Sequence, residues 1–323
     1  LSEKQGVGSS ILPLATINIG LVTINKRLKN SRTFDTNLKY LESMKKDFSK
    51  YNSSFKILWS DMNRKIGFVV SEFLPTKEFI KTSLNNLEKD SIKVYFLPIY
   101  SPNKKSNNRL MLRVLKETSL SYIFYKVLDT FYVNLIRRLK KSNIKLFVKK
   151  NNIEYENLDL NYKILEKKIS NDEIDILVLL TNQYIPKNVL ESPNIITVNM
   201  HLAKIPEYGG LFNQFWIMLN DEKYSYATIH IASTKIDAGQ VLLEDKLEIN
   251  YEESLMELYY KTAQLGGKLL YKFLNNFNNF YDPNLKLKEI EPINRGLPNR
   301  ADMKNFHKKG FKLFKFSTLK KVV

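Results

Sequence analysis

Asn199 and His201 stand two residues apart at the end of the apolar run Ile195-Ile-Thr-Val-Asn-Met-His201. Residues i and i+2 of an extended chain leave the same face, so the amide and the imidazole can converge on one atom. Placed side by side, an amide N–H and an imidazole form an oxyanion-stabilising pair. A carboxylate completes such a set, as a base or as the group that sets the charge of the ring. Asp237 offers one, 38 residues beyond Asn199, in the segment Thr228-Ile-His230-Ile-Ala-Ser-Thr-Lys-Ile236-Asp237-Ala-Gly239. The same residues admit a plainer account, in which Asn199 caps a strand end, His201 is a satisfied half-buried histidine and Asp237 is a turn residue. Context favours convergence. The pair follows a sheet strand, precedes a loop with Pro206 and Gly209-Gly210, and is followed by a segment that itself starts on a strand.

The elements that must position these groups alternate. The β-branched run 65–71, a polar helix and the run 92–100 begin the pattern. A helical stretch over 110–141, read as two packed helices, is followed by an apolar unit at 144–148 and a helix over 162–169. Two nearly all-apolar runs then follow, 174–180 and 195–201, separated by a short crossover. Strands alternating with helices imply a parallel sheet covered on both faces, and functional groups in such sheets gather at the carboxyl ends of strands. The expected class is α/β, a Rossmann-like, mostly parallel sheet with helices on both faces. Residues 1–64 read as a leader of unassigned role with a small strand, helix, strand pattern, 65–282 as the catalytic domain and 283–323 as a short basic C-terminal extension. In that extension a Lys/Phe pattern with a period of three to four suggests a capping helix and a short strand.

With 323 residues, 43% apolar and 26% charged, the composition is that of a globular protein, not of a disordered or collagen-like chain. No cysteine is present, which excludes disulfides, thiolate metal sites and cysteine nucleophiles. His201, His230 and His307 are the only histidines, none with a ligand-like neighbour set, so no metal is expected. The apolar stretch 11–24 is too short for a membrane span. A cytoplasmic setting is the default expectation. The net charge of +18 is unevenly spread: 104–150 holds 13 basic and 2 acidic residues, whereas 172–260 holds 5 basic and 14 acidic. Nine of the 51 basic residues are arginine, so Arg-rich phosphate recognition is not the signature of this composition. The basic segment reads first as a solvated helical face. The turn Ser71-Glu-Phe-Leu-Pro75 is no dinucleotide fingerprint.

The ordered set Asn199-x-His201, the proline-ended loop, Gly210, Trp216, Thr228-Ile-His230 and Ile236-Asp237-x-Gly239 resembles the folate-dependent formyltransferase family. This family includes methionyl-tRNA formyltransferase, glycinamide ribonucleotide transformylase and sugar-nucleotide N-formyltransferases. The resemblance spans roughly 65–274 and is strongest over 175–242. It implies the formyltransferase catalytic-domain fold, with Asn199, His201 and Asp237 catalysing formyl transfer from 10-formyltetrahydrofolate to a primary amine. Asn199 and His201 would then stabilise the oxyanion, and Asp237, through a water, would move protons and keep His201 cationic. Gln183, Tyr184 and Ile185 would line the pterin pocket mainly through their backbone, with Ile236 beside them. Lys204, Pro206, Tyr208 and Gly210 would form the loop on the acceptor side, and His230 is secondary. The chain departs from the family at Gly209, where Arg is usual, at Tyr226, where Gly is usual, and near Thr234, where an acidic residue is usual.

Members that act on tRNA carry a further C-terminal β-barrel domain, whereas 41 residues follow Asp282 here. The acceptor expected is therefore a small nucleotide-linked amine, an amino-sugar nucleotide, and nucleic acid is not favoured. Two alternatives stay open. One is formylation of another amine such as methionyl-tRNA, or hydrolysis of the formyl donor. The other is a non-catalytic basic binding module. Oligomeric state is not legible in the sequence.

Overall fold

The computed structural model describes residues 64–71, 74–84, 87, 89–97, 118–120, 122–125, 144–158, 162–181, 183, 185–192, 194–282 and 288–315. The leader expected over 1–64 lies outside them apart from Arg64. Most of the helical stretch 110–141, Tyr184 and the last eight residues lie outside them too.

Seven strands form one sheet in the order β3-β2-β1-β4-β5-β7-β8. They are β1 (Ile66–Ser71), β2 (Ile92–Leu97), β3 (Glu154–Asn157), β4 (Ile176–Leu180), β5 (Ile196–His201), β7 (Tyr224–Ile231) and β8 (Val241–Glu248). The first five in that order pair in parallel, and β5–β7 and β7–β8 pair antiparallel. This is the expected Rossmann-like, mostly parallel sheet.

The apolar character of the central strands follows from double coverage. Ile176, Val178 and Leu180 of β4 join Ile66, Phe68 and Val70 of β1 in one buried cluster. That cluster is completed by Phe79 and Ile80 of α1 (Leu74–Leu84) and by Leu269, Leu270 and Phe273 of α6 (Leu255–Asn275). The alternate residues, Leu177 and Leu179, face the other way with Val69 and Tyr95, under Leu165 and Ile169 of α3 (Tyr162–Asn171) and Val189 of α4 (Lys187–Leu190). Helix α6 starts with a capping box in which Ser254 and Glu257 satisfy each other's backbone N–H groups.

The apolar unit at 144–148 is part of helix α2 (Ile144–Lys150). Ile144 and Val148, four apart, are its buried residues, and its lysines fall elsewhere on the surface. The strand of this unit comes later, at β3, whose sequence Glu-Tyr-Glu-Asn carries charge on an edge strand.

A third cluster lies around α5 (Asn213–Leu219). Phe215 stacks on Phe306 at a centroid distance of 4.7 Å. Phe306 belongs to α8 (Arg300–Lys308), capped by Asn299 and Asp302. Met303, Phe311 and Leu313 fill the same cluster, so residues 300–313 share a core with α5. A short helix, α7 (Phe277–Phe280), follows α6, and a small sheet of β6 (Gly209–Gly210) and β9 (Asn294–Arg295) completes the described elements. No helix among the described residues is long and apolar enough to cross a membrane.

Phe273 is fully buried between α6 and the sheet. Phe273→Ala is expected to cost about 3–5 kcal/mol of stability, read as a fall in the urea midpoint at unchanged slope.

Candidate active site

Strand β5 ends at the site. Asn199 and His201 lie on it two residues apart, and the antiparallel partner β7 sets His230 opposite Asn199 and Thr228 opposite His201. The pairing brings the side chains together: Asn199 Nδ2 is 3.0 Å from His230 Nε2. His230 Nδ1 is 2.8 Å from the carbonyl oxygen of Ile231, which can only accept. The proton therefore sits on Nδ1, and Nε2 accepts from the Asn199 amide. Burial pushes the His230 pKa down to about 4, with the nearby His201 acting in the same direction and Asp237 against both. His230 is thus a neutral ring that fixes which way the Asn199 amide points. It leaves the second Nδ2 proton and Oδ1 of Asn199 for other partners.

His201 is held from the loop that follows β5. Its Nε2 is 2.7 Å from the Tyr208 carbonyl oxygen and 3.1 Å from Asn213 Nδ2. The carbonyl can only accept, so the Nε2 proton is committed to it. The ring nitrogen left for a reacting group is Nδ1, which lies 3.4 Å from Asp237 Oδ1. The oxyanion donor expected at His201 is accordingly the Nδ1 side of the ring.

Asp237 reaches this point through a tight turn between β7 and β8. Its backbone is left-handed, with φ 54°. The turn folds back so closely that a Cβ on Gly239 would stand 1.6 Å from the Ile231 carbonyl oxygen. Only glycine fits there, which explains the Asp-x-Gly spacing. The Asp237 side chain is 8% exposed. Oδ2 accepts the Gly210 N–H at 2.7 Å, and Oδ1 faces His201 Nδ1 and lies 3.9 Å from His230 Nε2. Gly210 itself has φ 89°.

The structure therefore brings Asn199, His201, Asp237 and His230 into one cluster. Gly210 stands in it as the anchor of the carboxylate. Pro206 and Tyr208 contribute backbone carbonyls, to Ile293 N–H and to His201. The Tyr208 ring is buried, and its hydroxyl donates to Glu222; burial and that carboxylate push its pKa up to about 12. Lys204 pairs with Glu207 at 2.7 Å. Together they line a cavity of about 220 Å³ with Tyr208, Glu222, Tyr224 and Tyr226. Gln183 donates its backbone N–H to Thr181 Oγ1, Ile185 is buried in the cluster under α4, and Ile236, next to Asp237, is 63% exposed.

Sequence reasoning missed Asn213, whose amide lies against the His201 ring, and Gly210 as the anchor of Asp237. The glycine pair 209–210 was the only signal of the second. Among the described residues no group of three or more His, Asp or Glu is arranged to hold a metal ion.

Because His230 is buried neutral, its folded pKa of about 4 lies below the ordinary 6.5. Between those values the unfolded chain binds the extra proton, so stability falls as pH drops from about 6.5 to about 4 and is unaffected by this group above that window. Urea midpoints measured across this range should show a shallower pH slope for His230→Gln than for the parent.

Residues 125–274 match the family model described as Formyl transferase. Methionyl-tRNA formyltransferase of Clostridium tetani is 28% identical over 206 residues, 63% of this chain and 57% of that protein. The enzyme of the same name from Caldicellulosiruptor saccharolyticus is 32% identical over 113 residues, 35% of this chain and 36% of that protein. The chain thus spans between about a third and somewhat over half of these relatives. Among solved structures, glycinamide ribonucleotide transformylase 1 from Symbiobacterium toebii aligns over 71% of this chain and 95% of its own, at 10% identity and a TM-score of 0.48. The N-formyltransferase from Helicobacter canadensis, in complex with folinic acid and dTDP-3-aminofucose, aligns over 72% and 70%, at 19% identity and a TM-score of 0.46. The stretch that carries Asn199, His201, His230 and Asp237 thus lies inside the part of the chain that is similar to the Formyl transferase family model.

Proposed function

We propose that this chain transfers a formyl group from 10-formyltetrahydrofolate to the primary amine of an amino-sugar nucleotide. The observation that carries the reading is the convergence of Asn199, His201 and Asp237 at the carboxyl end of β5. The residues fit such a donor. Leu179 of β4 is the register partner of Asn199, so the chain that leaves β4 into 183–185 departs one strand away from the catalytic amide. The exposed Ile236 offers apolar surface beside Asp237. Gln183, Tyr184, Ile185 and Ile236 are the residues we assign to the donor, which supplies the formyl carbon and a leaving nitrogen that must gain a proton.

Asn199 Nδ2 and His201 Nδ1 are the N–H groups for the oxygen that gathers negative charge as the amine adds to the formyl carbon. Each aimed donor in such a site contributes a few kcal/mol. Asp237 Oδ1 takes the proton that the attacking amine sheds and is the source of the one the leaving nitrogen acquires. The Gly210 N–H on Oδ2 keeps Oδ1 as the working oxygen. His230 acts through Asn199, as a positioning residue. Lys204, Pro206, Tyr208 and Gly210 form the acceptor-side loop in this reading.

Formylation of methionyl-tRNA is the second reading, favoured by the names of the relatives. Against it stands the acidic character of the site-bearing segment, with 14 acidic and 5 basic residues over 172–260. Binding of a long polyanion draws on many cations, whereas a diphosphate needs few.

The test is donor consumption by the full chain with a panel of amino-sugar nucleotides and with methionyl-tRNA. Turnover with an amino-sugar nucleotide is expected, reduced roughly 100- to 1000-fold by Asn199→Ala and by Asp237→Asn. Gly239→Ala, which displaces the Asp237 turn, should cost about 100-fold. Donor loss without any formylated acceptor would mean hydrolysis, and no donor loss at all would leave only a binding module. Either outcome sinks the proposal.

A further inference from the structure

Residues 288–297 lie beyond the matched stretch and bridge both loops of the site. Ile290 N–H donates to Ala238 O at 2.7 Å, next to Asp237, and Ile293 N–H donates to Pro206 O at 2.8 Å. Lys235 of the Asp237 turn pairs with Glu291. Strand β9 pairs in parallel with β6, Leu211 N–H donates to Arg295 O at 2.8 Å, and Trp216 Nε1–H donates to Gly296 O at 3.0 Å. The two glycines of β6 admit this strand. A Cβ on Gly209 would stand 2.6 Å from Asn294 Oδ1, and one on Gly210 would stand 2.4 Å from Arg295 O. Gly210 is the residue whose N–H holds Asp237, so Arg295 sits one backbone pairing away from the catalytic carboxylate.

The Arg295 side chain lies across two rings. Its Cζ is 5.0 Å from the Tyr208 ring centroid and 5.7 Å from that of Trp216. Its Nε is buried without a hydrogen-bond partner. Arg295 forms no ion pair with a carboxylate among the described residues. The Tyr208 hydroxyl beside it is already committed to Glu222, and Lys204 and Lys235 of the site loops are paired with Glu207 and Glu291. A buried donor without an acceptor is costly, and a guanidinium held against aromatic rings by cation–π attraction rather than by a carboxylate keeps N–H groups available for an oxyanion.

Resting on the formyl-transfer reading above, we propose that Arg295 is the specificity-determining cation of the acceptor site. Its guanidinium takes a phosphate group of the nucleotide-linked acceptor and so holds the amine beside Asp237. One guanidinium beside a site segment in which acidic residues outnumber basic ones, 14 to 5 over 172–260, suits one phosphate or diphosphate and not an extended nucleic-acid backbone. No bond is made or broken at Arg295. Its contribution is binding of the acceptor's phosphate, equal in the ground state and the transition state.

Two measurements on the full chain test this. In steady-state turnover, Arg295→Gln should raise the acceptor KM roughly 10- to 100-fold, in line with the loss of a hydrogen bond to a charged group. The turnover number and the donor KM should stay within about threefold, and Arg295→Lys should recover part of the loss. Separately, inorganic pyrophosphate titrated against the unmodified chain should bind saturably and alter Trp216 fluorescence, and Arg295→Gln should abolish both. Active parent enzyme with an unmoved acceptor KM in Arg295→Gln would overturn the inference and leave the formyl-transfer reading standing. A parent enzyme that formylates no amine would sink the formyl-transfer reading. Pyrophosphate binding then still decides whether Arg295 is an anion site, and its absence in the unmodified chain overturns the inference even if Arg295→Gln does not fold. Turnover with methionyl-tRNA alone, falling steeply with salt, would overturn the small-acceptor assignment.

Discussion

The hydrogen bond from Gly210 N–H to Asp237 Oδ2, 2.7 Å long, ties together the two loops on which the site depends. A carboxylate whose side chain is 8% exposed needs donors for both oxygens. The backbone supplies one and leaves the other facing His201. Around this contact the chain tolerates only glycine at the closest approaches. Gly239 lets the Asp237 turn press against β7, and Gly210 lets β9 press against the loop after β5. Conformational freedom at these positions costs entropy on folding. The return is a carboxylate placed without a long side chain reaching for it.

Two histidines of the same strand pair are held in different ways. His230 is 2% exposed and donates to its own strand's carbonyl, so burial holds it neutral and turns its lone pair toward Asn199. His201 commits Nε2 to Tyr208 and turns Nδ1 toward Asp237. One ring orients an amide and the other faces a carboxylate. Cross-strand pairing of β5 with β7 produces both results from one register, in which Asn199 faces His230.

The site is composite along the chain. The stretch 125–274 carries the polar cluster, but residues 288–297 brace its loops and residues 300–313 build the apolar cluster under α5. Stacking of Phe306 on Phe215 anchors the C-terminal helix to the helix that begins with Asn213, and Asn213 touches His201. Packing remote in sequence thereby bears on the ring that faces Asp237. Net charge follows the same division. The +18 of the whole chain does not describe a site segment in which acidic residues outnumber basic ones.

Much of this was legible in the order of residues. Doubly apolar runs at β4 and β5 announce strands covered on both faces, because alternate side chains must all leave water. Asn-x-His on a strand end and Asp-x-Gly on a turn announce a convergent polar set, since period two and a left-handed turn are local properties of the backbone. A short apolar run such as 144–148 buries equally well as a strand or as one helical face, and only its neighbours settle which. Sequence alone thus determined the sheet, the catalytic candidates and the uneven charge, all of which depend on composition and short spacing. Tertiary structure alone decided that His230 orients Asn199, that Gly210 holds Asp237, and that Arg295 lies across Tyr208 and Trp216. Those contacts join segments far apart in the chain, and no local pattern records which distant backbone will fill the space a glycine leaves open.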